Sequence, residues 1–119
     1  MVNVLDTLRA FALTFPGAFE DTPWGEAPVT KVGKKIFVFF GTPEEPGIAV
    51  KLPSSAEQAR ALPGARPTGY GLGRHGWVDV PTTGQDAPPR ELVEDWIEES
   101  YRAIAPKKLI AELDSRMGT

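Results

Sequence analysis

Between residues 27 and 52 three β-prone segments follow one another through connections too short to hold a crossover. Ala27 to Val32 is weakly patterned, Ile36 to Phe40 is an unbroken apolar run, and Ile48 to Leu52 is a third short apolar stretch. Val32-Gly33-Lys34-Lys35 makes a tight turn between the first two, and Thr42-Pro-Glu-Glu-Pro-Gly47 is the loop before the third. Parallel neighbours need a crossover of roughly a dozen residues or more. These segments are therefore expected to pair antiparallel, the first two as a hairpin.

The flanking segments read as helices that can cover such a sheet. Val4, Leu8, Phe11 and Phe15 recur at helical spacing, with Leu5 and Ala12 widening the stripe, so a helix is expected from Val4 to Thr14. Asn3 is its expected cap, and Pro16-Gly17 stops it. Ser54-Ser-Ala-Glu57 has the letters of a capping box ahead of a short helix ending at Pro63-Gly64. Ala65 to Leu72 reads as irregular or partly extended, and Trp77 to Val80 as a strand. After Pro88-Pro89 a long helix carries Leu92, Val93, Trp96, Ile97, Tyr101 and Ile104 on one face, so Trp96 and Tyr101 are expected in the core. Pro106 suits the first position of a last helix bearing Leu109, Ile110 and Leu113. The expected class is α+β, a two-layer α/β sandwich with helices on one face of an antiparallel sheet of about five strands, in the order α-β-β-β-α-β-β-α(-α).

A chain of 119 residues fits one domain, taken here as 1–119. It has no cysteine, which removes disulfides, thiolate metal sites and cysteine nucleophiles, and suits a reducing cytoplasm. The N-terminus lacks a basic region followed by an apolar run, and the longest apolar run is far too short to span a bilayer, so no membrane association is expected. The net charge is −3, unevenly spread: residues 29–80 carry seven basic side chains against four carboxylates, and both flanks are acidic. A local basic face is compatible with that distribution.

Thr68-Gly-Tyr-Gly-Leu-Gly-Arg-His-Gly-Trp77 is the densest recognition candidate, with the only histidine, two aromatic residues and four glycines. Gly71-Leu-Gly73-Arg-His-Gly76 spells the dinucleotide fingerprint, but a strand leaves it and no βαβ unit surrounds it, so the pyrophosphate reading fails. One histidine without cysteine gives no zinc site. The serines lie at caps or on helices and offer His75 no nucleophile to activate, so no catalytic residue is assigned and the chain is expected not to be an enzyme. Glu20, Asp21 and Glu26, around Pro23-Trp24-Gly25, read as a solvated acidic loop anchored by Trp24. Lys31, Lys34, Lys35 and Lys51 lie on or beside the hairpin and third strand. They read either as edge lysines that block strand pairing or as a phosphate-contacting patch, with Arg66, Arg74, Tyr70 and Trp77 adding stacking and hydrogen bonds.

Ordered pieces across nearly the whole chain resemble the MmcQ/YjbR family. They are Pro16-Gly17 with Glu20, Pro23-Trp24-Gly25, Lys31-Val-Gly-Lys-Lys-Ile-Phe37, Ile48-Ala-Val-Lys51, Pro63-Gly64, Pro67 with Tyr70, Arg74-His75-Gly76-Trp77, Ser100-Tyr101 and Pro106-Lys107-Lys108. The family's Pro-Gly-Tyr reads Pro67-Thr-Gly-Tyr70 here, and its basic-His-Trp carries an inserted glycine, Gly76. The resemblance implies a CyaY-like fold and a proposed DNA-binding role through two β-hairpin wings, and it supplies no catalytic residues to carry over; no cofactor is expected. The leading expectation is thus weak, salt-dependent binding of nucleic acid, DNA in particular. Lys31, Lys34, Lys35 and Lys51 would meet phosphates, Arg74 and His75 phosphates or base edges, and Tyr70 and Trp77 would stack or brace the loop. The alternative is a protein- or small-ligand-binding module with a groove around Trp24, Tyr70, His75 and Trp77.

Overall fold

The computed structural model of the chain describes residues 4–23, 27–42, 46–69 and 71–116. The elements run α1 (Val4–Ala12), β1 (Ala18–Asp21), β2 (Val29–Val32), β3 (Lys35–Phe40), β4 (Ile48–Lys51), α2 (Ala56–Arg60), β5 (Arg66–Pro67), a 3-10 turn (Leu72–His75), β6 (Trp77–Val80), α3 (Arg90–Ile104) and α4 (Lys107–Arg116). The strands form one sheet ordered β1-β2-β3-β4-β6-β5, with every neighbouring pair antiparallel. The layered α+β class expected from the sequence is the one observed, but the sheet has six strands rather than about five.

The additional strand is β1, Ala-Phe-Glu-Asp, an edge strand without apolar alternation. Its position depends on partners elsewhere in the chain. It pairs with β2 from Ala18↔Val32 to Asp21↔Val29. Arg9 of α1 donates from Nε and Nη2 to the two oxygens of Glu20 at 2.8 and 2.7 Å. That bidentate contact holds the Glu20 carboxyl below its ordinary range.

The expected helix over residues 4–14 ends at Ala12, because the chain tightens before Pro16. Thr14 N–H donates to Phe11 C=O at 3.0 Å, three residues back instead of four. Asn3 lies outside the described residues. The capping box at Ser54–Glu57 does not form: the N-cap is Ser55, one residue later, and its side chain makes no cap bond. The Glu99 carboxylate of α3 replaces it, accepting from Ser54 N–H at 2.8 Å, Ser55 N–H at 3.0 Å and Ser55 Oγ at 2.7 Å. A charged acceptor with two oxygens meets more of the helix's unpaired donors than one hydroxyl can.

The core lies between the sheet and the helices. Leu8 and Ala12 of α1, Val93, Trp96, Ile97 and Tyr101 of α3, and Leu113 of α4 pack with Val38, Phe40, Ile48, Val50, Val78 and Val80. Val38↔Val50↔Val78 and Phe40↔Ile48↔Val80 are register rows across β3, β4 and β6, so one sheet face is an apolar ladder of valine, isoleucine and phenylalanine. Tyr101 stacks on Phe15 at 4.8 Å, meets Phe37 edge-on, and donates its hydroxyl to Pro16 C=O at 2.7 Å. Burial raises the pKa of that phenol.

The β2–β3 hairpin is not regular. Its register shifts between Thr30↔Val38 and Lys31↔Ile36, which leaves one residue of β3 in excess, a β-bulge. Consecutive Phe37 and Val38 are both fully buried in the helix-side core, where a regular strand would alternate. The β3–β4 ladder stops at Val38↔Val50. At the next position the Ser100 hydroxyl of α3 fills the gap, accepting from Lys51 N–H at 2.9 Å and donating to Phe37 C=O. Removing it strands a donor and an acceptor in a buried setting. Ser100→Ala is expected to destabilise the fold by about 1–3 kcal/mol. The check is urea unfolding, read as a lower midpoint at unchanged slope. A midpoint equal to the parent's would mean that the bridge contributes nothing.

Candidate functional site

Antiparallel order decides which side chains meet. The β2–β3 turn, the C-terminal end of β4 and the N-terminal end of β6 all lie at one end of the sheet, because Lys35 pairs with Val32 and Lys51 pairs with Trp77. That end collects Lys34 and Lys35 from the turn, Lys51 from β4, and Arg74 and His75 from the 3-10 turn that feeds β6. Lys31 is one register step inward, opposite Ile36. Six candidate contact residues separated by up to 44 sequence positions thus share one border.

They are not equivalent. Lys31 forms an ion pair with Asp21 of β1, Nζ to Oδ2 2.9 Å, and this contact holds the Asp21 carboxyl below its ordinary range. Among the described residues Lys34, Lys35, Lys51, Arg74 and His75 form no ion pair. Lys34, Lys35, Arg74 and His75 are exposed, and Lys51 is half-buried. Trp77 is only 7% exposed and meets Phe39 edge-to-face at 5.3 Å and 72°. It forms part of the floor beneath the border and is not an exposed stacking plane. Trp24 and Tyr70 lie outside the described residues.

The glycines of the 68–77 loop set its path. Gly71 and Gly76 adopt the left-handed conformation (φ 78° and 87°) at the two ends of the 3-10 turn. Gly73 is needed for close approach: a Cβ there would fall 2.7 Å from Pro67 Cβ and 3.1 Å from Thr68 O. The loop closes on itself through Gly73 N–H to Thr68 C=O at 3.0 Å, and Gly76 C=O accepts from Leu52 N–H at 2.8 Å. The inserted glycine therefore ends the turn and ties it to the chain just after β4. The spelling that matches a dinucleotide fingerprint is that of a folded-back loop.

The sheet face away from the helices holds a hollow of about 840 Å³ lined by Ile36, Phe39, Ala49, Thr68, Gly69, Leu72 and Asp79. Ile36 and Phe39 are three residues apart in one strand, yet both line it, a consequence of the bulge. A second hollow of about 470 Å³ adjoins it, sharing Phe39, Ala49 and Asp79 and adding Arg66, Gly64, Pro46 and Pro81. Asp79 is the one carboxylate among the described residues of the larger lining. Its Oδ1 accepts from Thr68 Oγ1 at 2.8 Å, and Arg66 Nε lies 3.8 Å from Oδ2. Phe39, Leu72 and Asp79 were not among the residues singled out by sequence. A signal existed for Asp79: in Trp77-Val-Asp-Val80 the alternation sends the carboxylate to the face opposite the valines. Phe39 and Leu72 had none, being apolar residues in apolar or glycine-rich surroundings.

Among the described residues no group of three or more His, Cys, Asp or Glu side chains is placed to hold a metal ion, and no helix is long and apolar enough to cross a membrane. The family model described as YjbR matches residues 13–103. A solved structure of Deinococcus radiodurans protein DR2400, a DUF419 domain, superposes with a TM-score of 0.67 at 23% identity, covering 82% of this chain and 75% of that one. That likeness is one of fold. No functionally curated protein matches the chain.

The loop geometry makes a direct prediction. Gly73→Ala is expected to cost about 1–3 kcal/mol, since Pro67 and the Thr68 carbonyl leave its methyl no room. Gly69→Ala has open space around its Cβ and should stay within about 0.5 kcal/mol of the parent. Guanidinium denaturation of the two variants side by side tests this, and equal midpoints would contradict the packing described for the loop.

Proposed function

The chain belongs to the YjbR family, and from that premise we propose that it is a nucleic-acid-binding domain without catalytic activity whose contact surface is the cationic end of the sheet. The observation that carries the reading is the convergence of Lys34, Lys35, Lys51, Arg74 and His75 on one border with no carboxylate paired to them among the described residues. An ion-paired lysine gives little to a phosphate, because binding must first break the pair. An unpaired one releases the counterions condensed on the nucleic acid when it binds. Lys31, held by Asp21, is accordingly a lesser contributor.

The rest of the chain limits the affinity. The net charge is −3, and the helix surface behind the end of β4 carries Asp95, Glu98 and Glu99 around a shallow hollow. A polyanion is therefore attracted locally and repelled elsewhere, so binding is weak and confined to low salt. It also has one permitted approach, along the border and over the open face. DNA is the partner this reading names first.

The expected behaviour is a linear fall of log affinity with log salt. Lys34, Lys35, Lys51 and Arg74 together give a slope of about −3, and Lys34→Gln with Arg74→Gln together should flatten it by about 1.5. Arg90→Gln, at the far end of α3 and already paired with Glu94 at 3.5 Å, should leave the slope unchanged. Fluorescence anisotropy with single- and double-stranded oligonucleotides at low and moderate salt measures this. Absence of binding at the lowest salt would refute the assignment, because counterion release is greatest there.

A further inference from the structure

We propose that the hollow on the open sheet face receives an unstacked base of single-stranded nucleic acid, guanine by preference, while the cationic border holds the flanking phosphates. The inference rests on the nucleic-acid reading above and adds which strand form and which base the site selects.

Placement comes first. Each part of the hollow nearest the border is followed or preceded in sequence by one of the unpaired cations. Lys35 precedes Ile36, Lys51 lies two residues after Ala49, and Arg74 lies two after Leu72. A backbone lying along the border therefore passes the mouth of the hollow. Its volume of about 840 Å³ is in the range that encloses small organic ligands. Ile36, Phe39 and Leu72 make its walls apolar, and the contact with Trp77 fixes the Phe39 ring. A duplex keeps its base planes stacked inside and cannot offer one to a concave floor, whereas a single strand can.

Asp79 supplies the selectivity. A carboxylate here repels phosphate, so the nucleotide enters base first. Asp79 Oδ1 already accepts from Thr68, while Oδ2 is ion-paired with Arg66 at 3.8 Å and, among the described residues, accepts no hydrogen bond. The unfilled acceptor positions suit a base edge rich in donors. Guanine presents N1–H and N2–H side by side, matching a carboxylate's two oxygens. Adenine and cytosine offer one exocyclic amine, and thymine has a single N–H flanked by carbonyls that Asp79 repels.

The test uses the full chain and two labelled single strands, all-dT and dT with one central dG, together with a duplex of equal length, at low salt. The dG-containing strand should bind about tenfold more tightly than all-dT, and both should bind more tightly than the duplex. Asp79→Asn should abolish the dG preference, bringing the two single strands to equal affinity. Phe39→Ala should weaken both single strands and spare the duplex. Equal binding of the two single strands by the unmodified chain would overturn the inference without any variant having to fold. If the duplex still bound with a salt slope, the cationic border would stand and the hollow would fall to a protein or small ligand. No binding of any of the three would remove the nucleic-acid reading itself.

Discussion

The Ser100 hydroxyl is the contact on which the arrangement of the sheet depends. It sits where β3 and β4 part, joining Lys51 N–H to Phe37 C=O and so replacing the rung that the bulge removes. A bulge without such a bridge leaves two buried polar groups unpaired. With it, β3 can send Phe37 and Val38 together into the helix-side core and turn Ile36 and Phe39 together onto the open face. The next residue, Tyr101, fixes the same helix to the Pro16 carbonyl at the exit from α1. The adjacent pair Ser100-Tyr101 thereby sets both the register of the central strands and the seating of the layer above them.

The hollow on the open face follows from that choice. Had β3 alternated regularly, Ile36 and Phe39 would lie on opposite faces, and the open side would lose one of its walls. The opposing wall comes from the 68–76 loop, which lies close over β5 only because Gly73 has no Cβ to strike Pro67. One hydroxyl in a helix and one missing methyl in a loop, far apart in sequence, shape the same concavity.

The legibility of the sequence divides along physical lines. Elements with strong periodicity or strong stops, such as α3 with its apolar face and β6 with its alternation, could be read directly, and the antiparallel layout followed from connection lengths. Effects that depend on a distant partner could not. β1 is defined by pairing with β2 and by Arg9 and Lys31 meeting Glu20 and Asp21, none of which leaves a mark in the four letters Ala-Phe-Glu-Asp. The Ser54–Glu57 pattern was well formed, yet Glu99 outcompeted it from another helix. The bulge was invisible because Ile36-Phe-Val-Phe-Phe40 is apolar at every position, so no change of face could show as a change of residue type. Charge was legible as a basic middle segment, but which lysine is neutralised depended on the strand that had no signature.

An acidic protein with a small cationic border cannot select a partner by electrostatic strength, since every polyanion presents the same phosphates. Nor do exposed lysines and arginines distinguish one base from another when they face a backbone. Discrimination has to come from a surface that only one form of the polymer can reach, and the apolar floor beside the border is such a surface. The lone carboxylate in that floor makes the point sharper. Asp79 weakens general attraction to a polyanion, a cost no backbone-binding surface would benefit from carrying. Asp79 already serves the fold through Thr68 and Arg66, and on the proposed reading its remaining acceptor capacity suits an uncharged group rich in donors. On the proposed reading the border contributes attachment and the hollow choice, and the weakness of the first leaves the second in control of what is bound.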